Sequence, residues 1–312
     1  MSLLDLPART AATIAGPVRR QLAQTLRSRV AGDAADARAA VIWGSEGPRW
    51  FTPDDPVWRV HADASMFVGG VRALLLQSLH PLAMAGVAGH SGYRSDPWGR
   101  LERTSAFLAT TTFGTVEHAE QAIAQVRSIH ERVRGKAPDG RPYAASDPHL
   151  LDWVHLAEVD SFLTAYQHFG PVRLTPAEAD TYVRQSGEVA ARLGATTPPQ
   201  SVAELRERLR AFRPELAASA AARDVARFLV LTPPLPLAAR PGYGMLVAGA
   251  VATLPGWARR ELRLPPPFVG WDWPGVQLGS LGAGVVRWAM ADPSVVVKRS
   301  ARQRVVVAVE DH

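Results

Sequence analysis

Apolar and small residues recur at helical spacing along most of the chain, and the polar breaks between them carry helix start and stop signals. From Pro56 to Gly89 they dominate, which predicts a central helix kinked or divided at Pro81, where the ring removes a donor and crowds the preceding turn. A polar loop from His90 to Gly99 leads to a helix over about Arg100 to Phe113, stopped by Gly114. The following helix, Val116 to Val133, sets Ala119, Ile123, Val126, Ile129, His130 and Val133 three and four apart, so they share one face and His130 points inward. Gly135 to Tyr143 reads as a turn-rich loop. Asp147 as N-cap and Pro148 at the first helical position open a helix to about His168. Thr175-Pro-Ala-Glu178 and Ser201-Val-Ala-Glu204 carry the capping-box pattern, in which hydroxyl and carboxylate satisfy free amides reciprocally.

Beyond Leu231 the pattern loosens into Pro-rich turns, Thr232 to Pro236 and Leu264 to Phe268, around apolar stretches at Tyr243 to Leu254 and Gly275 to Met290. These are expected to be C-terminal helices. Ser294 to Val309 is rich in β-branched residues and reads as a strand or an irregular tail. The expected architecture is all-α, with an N-terminal helical arm (1–50), one helical domain with an irregular Pro-rich C-terminal part (51–290), and a tail (291–312).

Composition narrows the chemistry. The 312 residues include no Cys, which removes disulfides, zinc-thiolate sites, iron–sulfur clusters and thiolate-ligated haem, so any metal must lean on His, carboxylate or Tyr. The formal charge of +6 is almost wholly arginine, since only Lys136 and Lys298 are lysines. The arginines are scattered rather than striped, so nucleic acid is not an expected partner. No leader-like apolar run opens the chain, and a cytoplasmic location is expected. Met66 to Ala88 comes nearest to a membrane span but is broken by Arg72, Gln77, His80 and Pro81.

Nucleophile-elbow, phosphate-loop and dinucleotide-binding patterns are missing, which sets aside hydrolase and nucleotide classes. A di-iron bundle needs paired Glu-x-x-His motifs, and the chain offers only Asp152-Trp-Val-His155. By pattern alone, a His on an apolar helix face is more often a hydrogen-bonded core residue than a ligand.

One ordered set of motifs says more. Gly70-Val-Arg-Ala-Leu-Leu-Leu-Gln77, His80-Pro-Leu-Ala, Tyr93, Asp96-Pro, Gly99-Arg-Leu-Glu-Arg-Thr104, Phe113-Gly114, Ile129-His130-Glu-Arg-Val133, Tyr143-Ala-Ala-Ser-Asp-Pro148 and Leu151-Asp-Trp-Val-His155 together resemble the family uniting MpaB-type oxygenases with latex-clearing rubber oxygenases. The resemblance spans about residues 56 to 255. It implies a globin-like helical core holding haem b through a His ligand, with dioxygen directed at carbon–carbon double bonds of isoprenoid-like molecules.

Carried over residue by residue, the resemblance makes His130 the iron ligand and matches the family's distal Arg and Thr at Arg100 and Thr104. The intervening family Lys is Arg103 here, a poor iron ligand suited to a haem propionate or a surface acid. The rubber-cleaving members also use a distal glutamate, whereas Ala64 to His90 contains no carboxylate, so polyisoprene cleavage is not expected. His155 belongs to the motif of shorter members and is read as a distal residue, an alternative axial ligand, or a core residue bonded to Asp160 or a carbonyl. The implied function is a haem b-dependent oxygenase using dioxygen on a hydrophobic small molecule, with peripheral membrane contact fitting such a substrate. The alternatives are a haem-binding sensor or carrier without turnover, and an interaction protein that has lost haem. The sequence sets no oligomeric state.

Overall fold

The structure, a computed structural model, describes residues 19, 35–90, 95–265 and 272–291. The strand or tail expected at 294–309 lies outside them. The described part is helical apart from one short hairpin, in the order α1 (Ala35–Gly44), α2 (Pro56–Ala62), α3 (Ser65–Gln77), α4 (Pro81–His90), α5 (Pro97–Phe113), α6 (Val116–Arg132), β1 (Arg134–Lys136), β2 (Pro142–Ala144), α7 (Pro148–Phe169), α8 (Pro176–Leu193) and α9 (Val202–Ala211). A 3-10 turn at Arg213–Glu215 follows, then α10 (Ala220–Leu231), α11 (Arg240–Thr253), α12 (Gly256–Glu261) and α13 (Asp272–Met290). The all-α expectation holds.

Two helix pairs make the core. α3 lies along α7, and α11 lies along α13, with α11 also packed on α3. Close approach depends on glycine: a Cβ on Gly69 would meet the Phe162 ring at 2.7 Å, and one on Gly249 would meet the Gly279 Cα at 2.7 Å. Around α3 and α7 the core gathers Val68, Leu75, Leu76, Trp153, Leu156 and Phe162. Removing each such side chain from water contributes about 1.5–3 kcal/mol.

Local signals account for most helix starts. Asp96, Thr115 and Asp147 each accept an amide hydrogen bond at an N-cap, from Gly99, His118 and His149 respectively. Both arms of the Thr175–Glu178 box form. At the second box, Ser201 accepts from the Glu204 amide, but the Glu204 carboxylate reaches back to the Gln200 amide.

The stretch from Pro56 to Gly89 divides twice. Pro81 turns α4 away from α3 by 108°. A second break, unforeseen, falls at Asp63, whose carboxylate accepts from the Ser65 amide and holds Arg287 of α13 through two 2.8 Å bonds. Among the described residues no single helix is long and apolar enough to cross a membrane.

The loop expected at Gly135 to Tyr143 contains the antiparallel β1–β2 hairpin, with Gly135 opposite Tyr143. A Cβ on Gly135 would lie 2.7 Å from the Tyr143 hydroxyl, so the strand pair depends on that glycine. On α6 the inward face is narrower than the spacing suggested. Ala119 and Ile123 are buried and Val126 and His130 half-buried, but Ile129 is 42% exposed because it stands one 100° step round the helix from His130.

Candidate functional site

Four titratable side chains are deep in the protein yet retain partial accessibility: His61 on α2, Arg100 on α5, His130 on α6 and Glu158 on α7. Burial pushes the His61 imidazole down to about 4 and the Glu158 carboxyl up to about 7. Burial also lowers His130 and Arg100, with the Arg103 charge adding to the effect at Arg100.

α5 packs on α6, α2 and α1, and neither α3 nor α7 is among its close neighbours in the described residues. The α5–α6 hairpin thus stands apart from the α3–α7 pair. Partly buried apolar side chains border the core on these same elements: Met66 and Phe67 on α3, Leu108 and Ala109 on α5, and Val154 on α7.

α5 and α6 are joined by the two-residue link Gly114–Thr115 and pack on each other. Arg100 precedes the end of α5 by about as many residues as His130 follows the start of α6. At about 1.5 Å per residue both lie near the same height, at the open end of the hairpin. The chain thereby brings two of the expected residues to one level. Thr104 is exposed and donates to the Arg100 carbonyl at 3.0 Å. Arg103 is also exposed and pairs with a surface acid, Asp96, at 3.2 Å.

His155 is buried on α7, and burial lowers it to about 4 in spite of the nearby Asp152 carboxylate. Its Nε2 has no hydrogen-bond partner, and neither has the buried Nδ1 of His130. Asp160, a suggested partner for His155, instead pairs with Arg72 at 2.8 Å. The Asp152 carboxylate is consumed by the amides and hydroxyls of Thr196 and Thr197, at 3.0 to 3.3 Å, which removes it from any di-iron set.

Two residues were missed in the sequence. Glu158 follows His155 by three positions, so both lie on one side of α7; the signal was a His-x-x-Glu, the reverse of the order sought. His61 bridges helices, with Nδ1 2.8 Å from the Thr112 hydroxyl on α5 and Nε2 3.5 Å from the Tyr182 hydroxyl on α8. Burial raises Tyr182 well above the ordinary phenol range, with Glu158 and Asp160 adding to the rise, so it stays a neutral phenol.

Residues 58–288 match the family described as "ER-bound oxygenase mpaB/B'/Rubber oxygenase, catalytic domain". The chain belongs to this family. The match encloses His61, Arg100, Arg103, Thr104, His130, His155 and Glu158, and it makes the chain a member of an oxygenase family with a small-molecule substrate. Comparison with curated proteins and with solved structures finds no match.

With no cysteine in the chain, a bound metal would take nitrogen or oxygen ligands. Among the described residues, His80, His130 and His155 each carry a buried imidazole nitrogen without a hydrogen-bond partner, and of these His130 and His155 are the two that the sequence put forward as ligands. Leaving a buried polar atom unpaired costs about 1–3 kcal/mol, which ligation would recover. Burial also keeps both rings neutral at neutral pH, the form that binds metal. His130 combines this with a half-buried position in the last turn of α6.

Proposed function

We propose that this family member is a haem b-dependent oxygenase acting on an isoprenoid- or alkene-like molecule, with His130 as the residue that would hold the haem iron. The observation that carries the reading is the unpartnered, buried Nδ1 of His130 on α6, the helix that packs on the Arg100-bearing α5. Bound haem would supply the iron at which dioxygen is activated for attack on a carbon–carbon double bond.

The chain's own residues supply the remainder. His130 holds the group as a neutral imidazole. Arg100 provides a fixed positive charge for a propionate, and Thr104 and Arg103 stand on the same helix towards solvent. Glu158 replaces the carboxylate missing from α3 and α4: with its carboxyl near 7 it gives or takes a proton at neutral pH. His155 serves as a distal neighbour of Glu158. Met66, Phe67, Leu108 and Val154, partly buried apolar side chains at the edge of the core on α3, α5 and α7, are the groups that would offer a lipophilic substrate apolar contacts.

An apolar stripe on α13 supports delivery from a lipid surface. Leu278, Leu281, Val285 and Trp288 recur on one face and are all exposed, with Trp273 70% exposed one turn before the stripe.

The test is dioxygen uptake by the haem-loaded chain when alkenes of graded length are added in micelles, with products read by mass spectrometry. Uptake coupled to an oxygenated product, falling at least tenfold in Glu158→Gln while the haem spectrum is kept, is the expected result. Haem binding without uptake for any alkene would favour the sensor or carrier reading.

A further inference from the structure

Three side chains with metal-ligating atoms converge from distant parts of the chain, none of them assigned above. His80 precedes α4, His149 lies in the first turn of α7, and Glu215 lies in the 3-10 turn after α9. Glu215 Oε2 is 2.8 Å from His149 Nε2 and 3.5 Å from His80 Nε2, and the three ligating atoms lie within 4.8 Å of one another. Ligands about 2.1 Å from a zinc-sized ion stand roughly 3.0–3.4 Å apart, so small side-chain adjustments would close this trio on one ion.

A second observation points to a ligand there. The His80 side chain is 3% exposed, and its Nε2 has no hydrogen-bond partner although it faces the Glu215 carboxylate. Coordination through Nε2 needs the proton on Nδ1. The Ala83 amide approaches Nδ1 only at 3.5 Å, too long to lock the other tautomer. Phe212 stacks on the His149 ring at 4.6 Å and fixes its plane. The nearest cation, Arg141, is held by Asp139 at 2.7 Å.

We propose that His80, His149 and Glu215 bind a divalent transition-metal ion of the zinc class. Two imidazoles and a carboxylate suit zinc or ferrous iron and not calcium or magnesium, which prefer all-oxygen shells. His149 and Glu215 are exposed, so water completes the shell. The ion clamps the start of α7 to the turn after α9 and to the α3–α4 bend. The clamp reinforces a junction where the Ala217 amide already donates to the Leu79 carbonyl at 2.9 Å.

The test is zinc titration of the full, chelator-stripped chain by calorimetry, with the thermal midpoint read alongside. His149→Ala and Glu215→Gln alter exposed side chains and leave the core intact; His130→Ala controls for binding at the proposed haem ligand. One zinc per chain, a zinc-dependent rise in midpoint, and affinity at least about tenfold weaker in both exposed-ligand variants but not in His130→Ala are expected. Zinc binding unchanged in His149→Ala and Glu215→Gln, or no saturable binding at all, would overturn the proposal.

Discussion

Arg72 on α3 meets Asp160 on α7 at 2.8 Å within the core, and the same guanidinium donates to the Ser161 hydroxyl and the Thr253 carbonyl. A charge that breaks an otherwise apolar helix is thus fully paired across three helices. Arg72→Met removes the cation and leaves Asp160 behind, and is expected to cost about 3 kcal/mol of stability. Urea unfolding measures it. A loss below about 1 kcal/mol would mean that water replaces the pair without penalty.

Glu158 and the buried histidines pull the pH dependence of stability in opposite directions. Glu158 is raised from 4.5 to about 7, so the fold holds its proton more tightly than the unfolded chain, and its contribution is lost as pH rises through about 7. His61 and His155 are lowered from 6.5 to about 4, so their contribution is present above 6.5 and lost as pH falls through about 4. For the haem-free chain, stability should rise from pH 4 to 6.5 and then dip towards 7. In Glu158→Gln the rise should steepen by about 1.4 kcal/mol per pH unit between 4.5 and 6.5, and the dip should vanish. Parallel profiles for the two proteins would place Glu158 in ordinary solvent.

The α13 stripe predicts reversible attachment to lipid. Leu281, at its centre, is 60% exposed. Leu281→Glu should reduce co-sedimentation with phospholipid vesicles several-fold while leaving the thermal midpoint within about a degree. A wild-type chain that stays in the supernatant at all lipid concentrations would remove the membrane from the account.

The sequence carried the helices whose ends are locally encoded. Asp147 and Thr175 cap as their patterns require, because an N-cap is decided by one side chain and the amides two or three residues on. The break at Asp63 was not legible, since its partner Arg287 lies 224 residues away. The hairpin at 134–144 was hidden because three-residue strands show no periodicity, and its register rests on Gly135 under Tyr143. The family's motifs brought out His130, Arg100 and His155. Glu158 escaped because nothing in its neighbours along the chain announces a raised carboxyl; that follows from helices folding over it. Likewise His80 and His149 acquire Glu215 only when the turn after α9 closes on the start of α7.

The central claim, haem held by His130, is tested most directly by titrating haem into the purified chain and into His130→Ala and His155→Ala. The visible spectrum would be recorded oxidised, reduced and with carbon monoxide. The account predicts a Soret band that saturates at one haem per chain in wild type and in His155→Ala, and that is lost or shifted to a weakly bound form in His130→Ala. A spectrum unchanged by His130→Ala, or abolished only by His155→Ala, would contradict it.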